Sequence, residues 1–299
     1  MKYLSLFSGI GGFELGINQA YENISNSSRK QQRRVSRDSS DNEQSFVGEE
    51  QLTCIGYSEI DKYASQIYQT HFPKHKNYGD ITKIKEDELP EFDLIVGGFP
   101  CQSFSIAGKR GGFDDTRGTL FFEIARIIKA KFPRLLLLEN VKGLLSHDEG
   151  KTFATIINTL VELGYDVQWQ VLNSKNFGVP QNRERVFIVG HLRGTSRPEV
   201  FPFGERGSVD NAAQPEDRKE IQTHRCLEAS EYKNYSAERF DGVLQDLRIR
   251  RLTPTECERL QGFPDGWTEG VSDTQRYKCL GNAVTVNVIK AIMEKLLVL

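Results

Sequence analysis

Short apolar runs and amphipathic stretches take turns along the first two thirds of this chain, and that alternation narrows its fold more than any other feature. The runs "YLSLF", "TCIGYSEI", "FDLIVGG", "RLLLLEN", "YDVQWQVLN" and "RERVFIVGHL" have the length and content of buried strands. Between them stand "GFELGINQAY", "DKYASQIYQTHF", "LFFEIARIIKAKF" and "KTFATIINTLVELG", whose apolar residues recur at helical spacing. Strands that are apolar nearly throughout cannot leave a face in water. The order therefore predicts an α/β fold, a mostly parallel sheet with helices on both faces. In such sheets ligands gather beyond the carboxyl ends of the strands.

Two segments break the rhythm. Residues 22–51 are polar, Ser-rich and almost free of apolar side chains, and read as a disordered insertion between the first helix and the second strand. Their basic run "RKQQRRVSR" reads as a solvated loop, with contact to DNA as the alternative. Residues 193–251 show no sustained periodicity and read as a small irregular subdomain. The helical pattern then resumes in "RRLTPTECERLQGFP", where Thr253 and Glu256 have capping-box spacing, and "NVIKAIMEKLLVL" forms an amphipathic closing helix.

Composition excludes several classes. With a net charge of -2 and 27% charged residues the chain is no bulk polycation, so any contact with nucleic acid must come from a local basic surface. No apolar run approaches the ~20 residues of a membrane span, and glycines interrupt the start where a secretory signal would continue. The five cysteines are far apart and form no C-x-x-C pair, which argues against both a disulfide framework and a zinc site. A cytoplasmic setting without a metal is expected.

The motifs sit where the strands end. "SLFSGIGGFELG" puts glycines after the first strand, which suits close approach to a nucleotide-like ligand, or simply a tight turn. It fails the G-x-G-x-x-G fingerprint because Glu14 occupies the third glycine position. Glu59 follows the second strand in the place of a ribose-binding carboxylate, and Asp80 stands where it could accept from an adenine amino group; a helix cap is the alternative for such acids. "DLIVGGFPCQSFS" delivers Cys101 at a sharp strand end, followed by a Gly-, Ser- and Lys/Arg-containing loop, a setting for a thiolate nucleophile more than for a buried structural thiol. "LLLLENV" ends four leucines on Glu139, whose burial favours the protonated, hydrogen-donating form. In "GVPQNRERVF", Gln181, Arg183 and Arg185 alternate onto one face of an extended segment, able to reach one pocket.

Six blocks in order, "FSGIGG", "GGFPCQSFS", "ENV", "QNRER", "RRLTPTECERLQGFPD" and "GNAVTVNV", resemble the DNA (cytosine-5) methyltransferases of bacterial restriction-modification systems. The resemblance covers nearly all of the chain outside residues 22–51 and 193–251. It implies a Rossmann-like sheet of the S-adenosylmethionine-dependent methyltransferase type with a small irregular target-recognition domain. The expected division is 1–191 for catalysis and cofactor, 192–272 for target recognition, and 273–299 returning to the catalytic part.

The implied reaction is methyl transfer from S-adenosylmethionine to C5 of a cytosine flipped out of double-stranded DNA. By resemblance Cys101 is the nucleophile at C6, Glu139 serves N3 and the exocyclic amine, Arg185 binds O2, and Arg183 orders the site. The cofactor would meet Phe7, Gly9, Ile10, Gly11, Gly12, Glu59, Ile60, Asp80, Ile81, Phe99, Leu120, Asn282 and Ala283. Gln102, Ser105, Lys109 and Arg117 would meet DNA, and the glycines among them would let the loop close. A monomer is expected, with a cognate restriction endonuclease as a possible companion. The rivals are a tRNA cytosine-C5 methyltransferase of the same fold, a catalytically dead DNA-binding regulator, and a nicotinamide oxidoreductase. The first lacks its Cys-Phe-Thr-type signature here. The second is disfavoured by intact Cys101, Glu139, Arg183 and Arg185, the third by Glu14 in the third glycine position.

Overall fold

The computed structural model describes residues 1–35, 52–100, 120–195, 199–204, 224–225, 242–245 and 248–297. Lys2–Leu6 (β1) leads into Gly12–Val35 (α1), Thr53–Ser58 (β2) into Lys62–His71 (α2), and Leu94–Gly98 (β3) precedes Leu120–Lys131 (α3). Leu135–Val141 (β4), Lys151–Glu162 (α4), Tyr165–Asn173 (β5), Gln181–Asn182 (β6) and Glu184–Leu192 (β7) follow. Three short strands, His224–Arg225 (β8), Gly242–Gln245 (β9) and Arg248–Arg251 (β10), precede helices Pro254–Gln261 (α5), Asp273–Asn282 (α6) and Val286–Leu297 (α7).

The central sheet has the order β2-β1-β3-β4-β7-β5. β1 pairs parallel with β2 and β3, and β3 with β4, while β7 runs antiparallel to both β4 and β5. The reversed strand has a simple cause. Residues 174–183 are all that separates β5 from β7, fewer than the dozen or so a parallel crossover needs.

Side chains of period two divide between the faces. Leu4, Leu6, Ile95, Leu136, Leu138 and Ile188 pack with α3 and α4, whereas Tyr3, Leu94, Val96, Leu135, Leu137 and Val189 pack with α1 and α7. This two-sided burial is what the apolar strand runs require. A third cluster joins Ile10, Ala64 and Ile67 to Leu252, Cys257, Leu260, Phe263 and Trp267, so the chain is back against the body by Leu252.

Two local expectations differ. α1 extends to Val35, so residues 22–35 of the stretch read as disordered are helical, and residues 36–51 lie outside the described part. The helix outlasts its apolar stripe because α7 anchors its first turns and the following Arg, Lys, Gln and Ser residues tolerate continued helix. Asn23 also donates to Glu294 of α7 at 2.8 Å. Within residues 193–251, β9 and β10 form an antiparallel pair, and β8 pairs parallel with β6. Such short pieces have too few residues to show a period. α5 starts as its spacing predicts. The Thr253 hydroxyl accepts from the Glu256 N–H at 3.2 Å, and the Glu256 carboxylate accepts from the Thr253 N–H at 2.7 Å.

Candidate active site

The sheet brings its chemistry to the carboxyl ends of β3 and β4 and the start of β7. Four buried leucines carry β4 to Glu139, which pairs in register with Gly98 of β3 on one side and Phe187 of β7 on the other. Gly98 leaves the room the carboxyl occupies, since a Cβ there would lie 3.0 Å from Glu139 Oε2. From β7, Arg185 Nε stands 3.1 Å from Glu139 Oε1, with both side chains more than four-fifths buried. Burial pushes the Glu139 carboxyl above its ordinary range, and the nearby Arg185 and Arg183 only partly oppose that. A carboxyl so placed is able to hold a proton and deliver it to a partner between the strand ends.

The alternation of Gln181, Arg183 and Arg185 is present, with Asn182 and Glu184 exposed between them. The three do not, however, converge on one partner. Gln181 Nε2 donates to the Leu260 carbonyl at 2.8 Å, and Arg183 Nη2 donates to the carbonyls of Gly281 and Ala283 at 3.1 and 2.8 Å. Arg185 pairs with Glu139, and Arg183 lies close enough for its charge to lower the Glu139 pKa while also spanning to the end of α6, whose buried carbonyls need donors.

Asn140 is the functional candidate that residue reading passed over. It is 2% exposed; its Nδ2 donates to the Phe99 carbonyl at 2.8 Å and its Oδ1 accepts from the Val141 N–H at 2.8 Å. It thereby ties β4 to the residue before Pro100, where the described part of this strand end stops. Cys101, Gln102, Ser105, Lys109 and Arg117 lie outside the described residues.

The second group lies at the ends of β1 and β2. The β1–α1 turn passes through left-handed backbone at Phe7, Gly9 and Gly11 (φ 53°, 54° and 88°). Glycine adopts this conformation freely; Phe7 holds it at a conformational penalty typical of ligand sites. Glu59 fastens the turn, accepting from the Gly9 N–H with Oε2 at 2.9 Å and from the Asp61 N–H with Oε1 at 2.7 Å. One lone pair on each oxygen is left for a further donor. Beside it Ile60 is 77% exposed, an apolar side chain standing free at a strand end.

Asp80 caps the short helix at Ile81–Lys83, accepting from the Thr82 hydroxyl at 2.8 Å and the Thr82 N–H at 3.0 Å, and those hydrogen bonds hold its pKa below the ordinary value. Asp61 caps α2 and pairs with Lys278 at 2.7 Å. Phe7, Gly9, Glu59, Ile60, Asp80, Leu120 and Asn282 keep accessible surface, whereas Ile10, Gly11, Gly12, Ile81, Phe99 and Ala283 are buried. The thiols among the described residues differ in kind from a nucleophile: Cys257 is buried, and burial pushes Cys54 and Cys279 up to about 12.

The description "C-5 cytosine-specific DNA methylase" is that of the family model matching residues 1–240 and 204–297. The chain belongs to this family. Type II methyltransferase M1.ScrFI of Lactococcus lactis subsp. cremoris is 40% identical over 332 aligned residues, covering 99% of this chain and 78% of the relative. M.HhaI of Haemophilus parahaemolyticus is 32% identical, covering 98% and 93%. Among solved structures, S. pombe Dnmt2 methyltransferase superposes with a TM-score of 0.68 at 20% identity over 99% of this chain and 98% of that one. That likeness speaks for the fold, a Rossmann-like methyltransferase sheet. This methylase is thus an enzyme of DNA cytosine methylation. Among its described residues no helix is long and apolar enough to cross a membrane.

Proposed function

We propose that this methylase transfers a methyl group from S-adenosylmethionine to C5 of a flipped-out cytosine at a specific double-stranded DNA site, through a covalent bond between Cys101 and C6. The observation that carries this reading is the Glu139–Arg185 pair, held beside the end of β3, the strand that Phe99, Pro100 and Cys101 follow in sequence. The residues beside β1 and β2 suit the cofactor: carboxylate lone pairs on Glu59 for a ribose diol, the exposed Ile60 face for a purine, and backbone N–H groups of the turn for a carboxylate. When bound, S-adenosylmethionine supplies an electrophilic methyl.

The protein's part is to make C5 a nucleophile. Addition of the Cys101 thiolate forms the S–C6 bond and pushes the C5–C6 electron pair toward N3. Glu139 gives its proton to N3, so the adduct carries no net negative charge on the ring. Arg185 fixes the Glu139 carboxyl and offers N–H groups to O2. C5 would then take the methyl as its bond to the donor's sulfur breaks and leaves a neutral thioether; the C5 proton leaves to water or a loop group, re-formation of C5=C6 expels the thiolate, and N3 returns its proton to Glu139. Arg183 and Asn140, which bind the carbonyls of Gly281, Ala283 and Phe99, act as positioning residues. Gln102, Ser105, Lys109 and Arg117 would hold phosphates, and a cognate endonuclease would share the site.

Methyl-labelled S-adenosylmethionine incubated with duplex DNA and, separately, with tRNA tests the reading. Label at C5 of cytosine in DNA is expected. Label confined to tRNA would overturn it.

A further inference from the structure

The block "RRLTPTECERLQGFPD" runs on to Trp267. This residue makes one contact that packing does not require. Its indole Nε1–H donates to the carbonyl of Ile10 at 2.9 Å across 257 residues of sequence. Ile10 lies between Gly9 and Gly11, the two left-handed glycines of the β1–α1 turn. Glu59 holds the same turn from the opposite side through the Gly9 N–H. A strained turn keeps its shape only where its surroundings over-determine it, and here long-range hydrogen bonds grip it at consecutive residues.

Trp267 is itself held on all sides. The Glu258 carboxylate, fully buried, accepts from the N–H groups of Gly266 and Thr268, the residues flanking Trp267, at 2.7 and 2.8 Å. Arg276 Nη2 pairs with that carboxylate at 3.1 Å, and the Thr268 hydroxyl donates to it as well. The His71 ring stacks on the indole at 3.5 Å with the planes 6° apart. A carbonyl only accepts, so the 2.7 Å contact of His71 Nε2 with the Trp267 carbonyl places a hydrogen on Nε2. Gln66 of α2 donates to the Gly270 carbonyl at 3.0 Å, closing the attachment to α2. His71 thus stacks on the indole directly, while Glu258 and Gln66 fix the backbone around it.

We infer that Trp267 is a positioning residue for cofactor binding, holding the Ile10 carbonyl so that the Gly9–Gly11 turn stays in its ligand-ready form. The inference rests on the cofactor reading above. Without the indole N–H the Ile10 carbonyl is left buried and unpaired, and the turn spends time in other conformations. Apparent affinity falls by the fraction of molecules that remain competent. The effect is expected at the turn, since Glu139 is held by Arg185 and Asn140 by the Phe99 carbonyl.

The test is titration calorimetry with S-adenosylmethionine on full-length wild-type protein, Trp267→Phe, and a variant carrying benzothienylalanine at Trp267, which keeps the ring shape and lacks the N–H. Steady-state kinetics accompany it. Roughly tenfold weaker binding in both variants is expected, with KM for the cofactor raised to match, while kcat and DNA affinity stay within about twofold of wild type. Cofactor affinity within twofold of wild type in the benzothienylalanine variant would overturn the inference. So would a parallel loss of cofactor affinity, DNA affinity and kcat, which marks general damage to the fold. Wild-type protein that binds no S-adenosylmethionine would instead refute the cofactor reading itself, and this inference with it.

Discussion

At the scale of single residues, two buried glutamates separate chemistry from architecture. Glu139 pairs with Arg185 at a strand end; Glu14 is fully buried on α1, where burial outweighs the Ser5 and Tyr68 hydroxyls beside it. Glu139→Gln removes the proton donor while keeping the shape, so kcat should drop by about 10²–10⁴ with DNA affinity largely retained. An unchanged single-turnover rate would remove Glu139 from the chemistry. For Glu14, burial raises the pKa from 4.5 to about 7. The native state therefore holds a proton that the unfolded chain has released, and this contribution to stability is full below pH 4.5 and lost as pH rises through about 7. Wild type should accordingly lose ~3 kcal/mol relative to Glu14→Gln between pH 4.5 and 8. Urea unfolding of both proteins at the two pH values measures this; a difference that does not change with pH would show that the burial penalty is absent.

At the scale of elements, the strand ends were legible and their cross-connections were not. Leucine after leucine followed by Glu139 announces a buried strand ending in a charged group, and that holds in β4. Alternation in Gln181, Arg183 and Arg185 gives the facing of an extended segment, since period two is a local property. Which partner each side chain meets is set by how α5 and α6 fold back, and no spacing encodes it. Arg183 is the clearest case. Expected to order the site, it also binds carbonyls nearly a hundred residues away. Arg183→Met should leave those carbonyls unsatisfied and destabilise the protein by about 2–4 kcal/mol, seen as a lower urea midpoint. Arg183→Met of wild-type stability would mean the two bonds are dispensable. Asn140 was hidden for a similar reason. Its amide looks like any polar residue at a strand end until β3 and β4 pair and bring the Phe99 carbonyl within 2.8 Å.

At the scale of the whole molecule, the alternation of strand and helix foretold a two-faced, mostly parallel sheet, because burial of both strand faces leaves few other arrangements. It could not foretell that β7 would insert between β4 and β5 in the opposite direction, a consequence of a short connection rather than of any residue in the strand. That reversal matters for function, as it delivers Arg185 from the start of β7 to the end of β4. The third core has a comparable role, drawing the segment from Leu252 to Trp267 against the β1–α1 turn and α2. One fold thus gathers two groups of side chains at neighbouring strand ends: an acid–guanidinium pair, and a fastened glycine turn with a carboxylate. Their adjacency is what a transfer between a bound donor and a flipped base demands.

The central claim is covalent catalysis through Cys101, and trapping tests it most directly. Protein, S-adenosylmethionine and duplex DNA substituted with 5-fluorocytosine would be incubated and separated on a denaturing gel. Fluorine at C5 cannot depart as a proton does, so the Cys101–C6 bond should persist. The account predicts a slower-migrating protein–DNA band that is absent in Cys101→Ser. A band of equal intensity in Cys101→Ser, or no band from wild-type protein that methylates unsubstituted DNA, would contradict it.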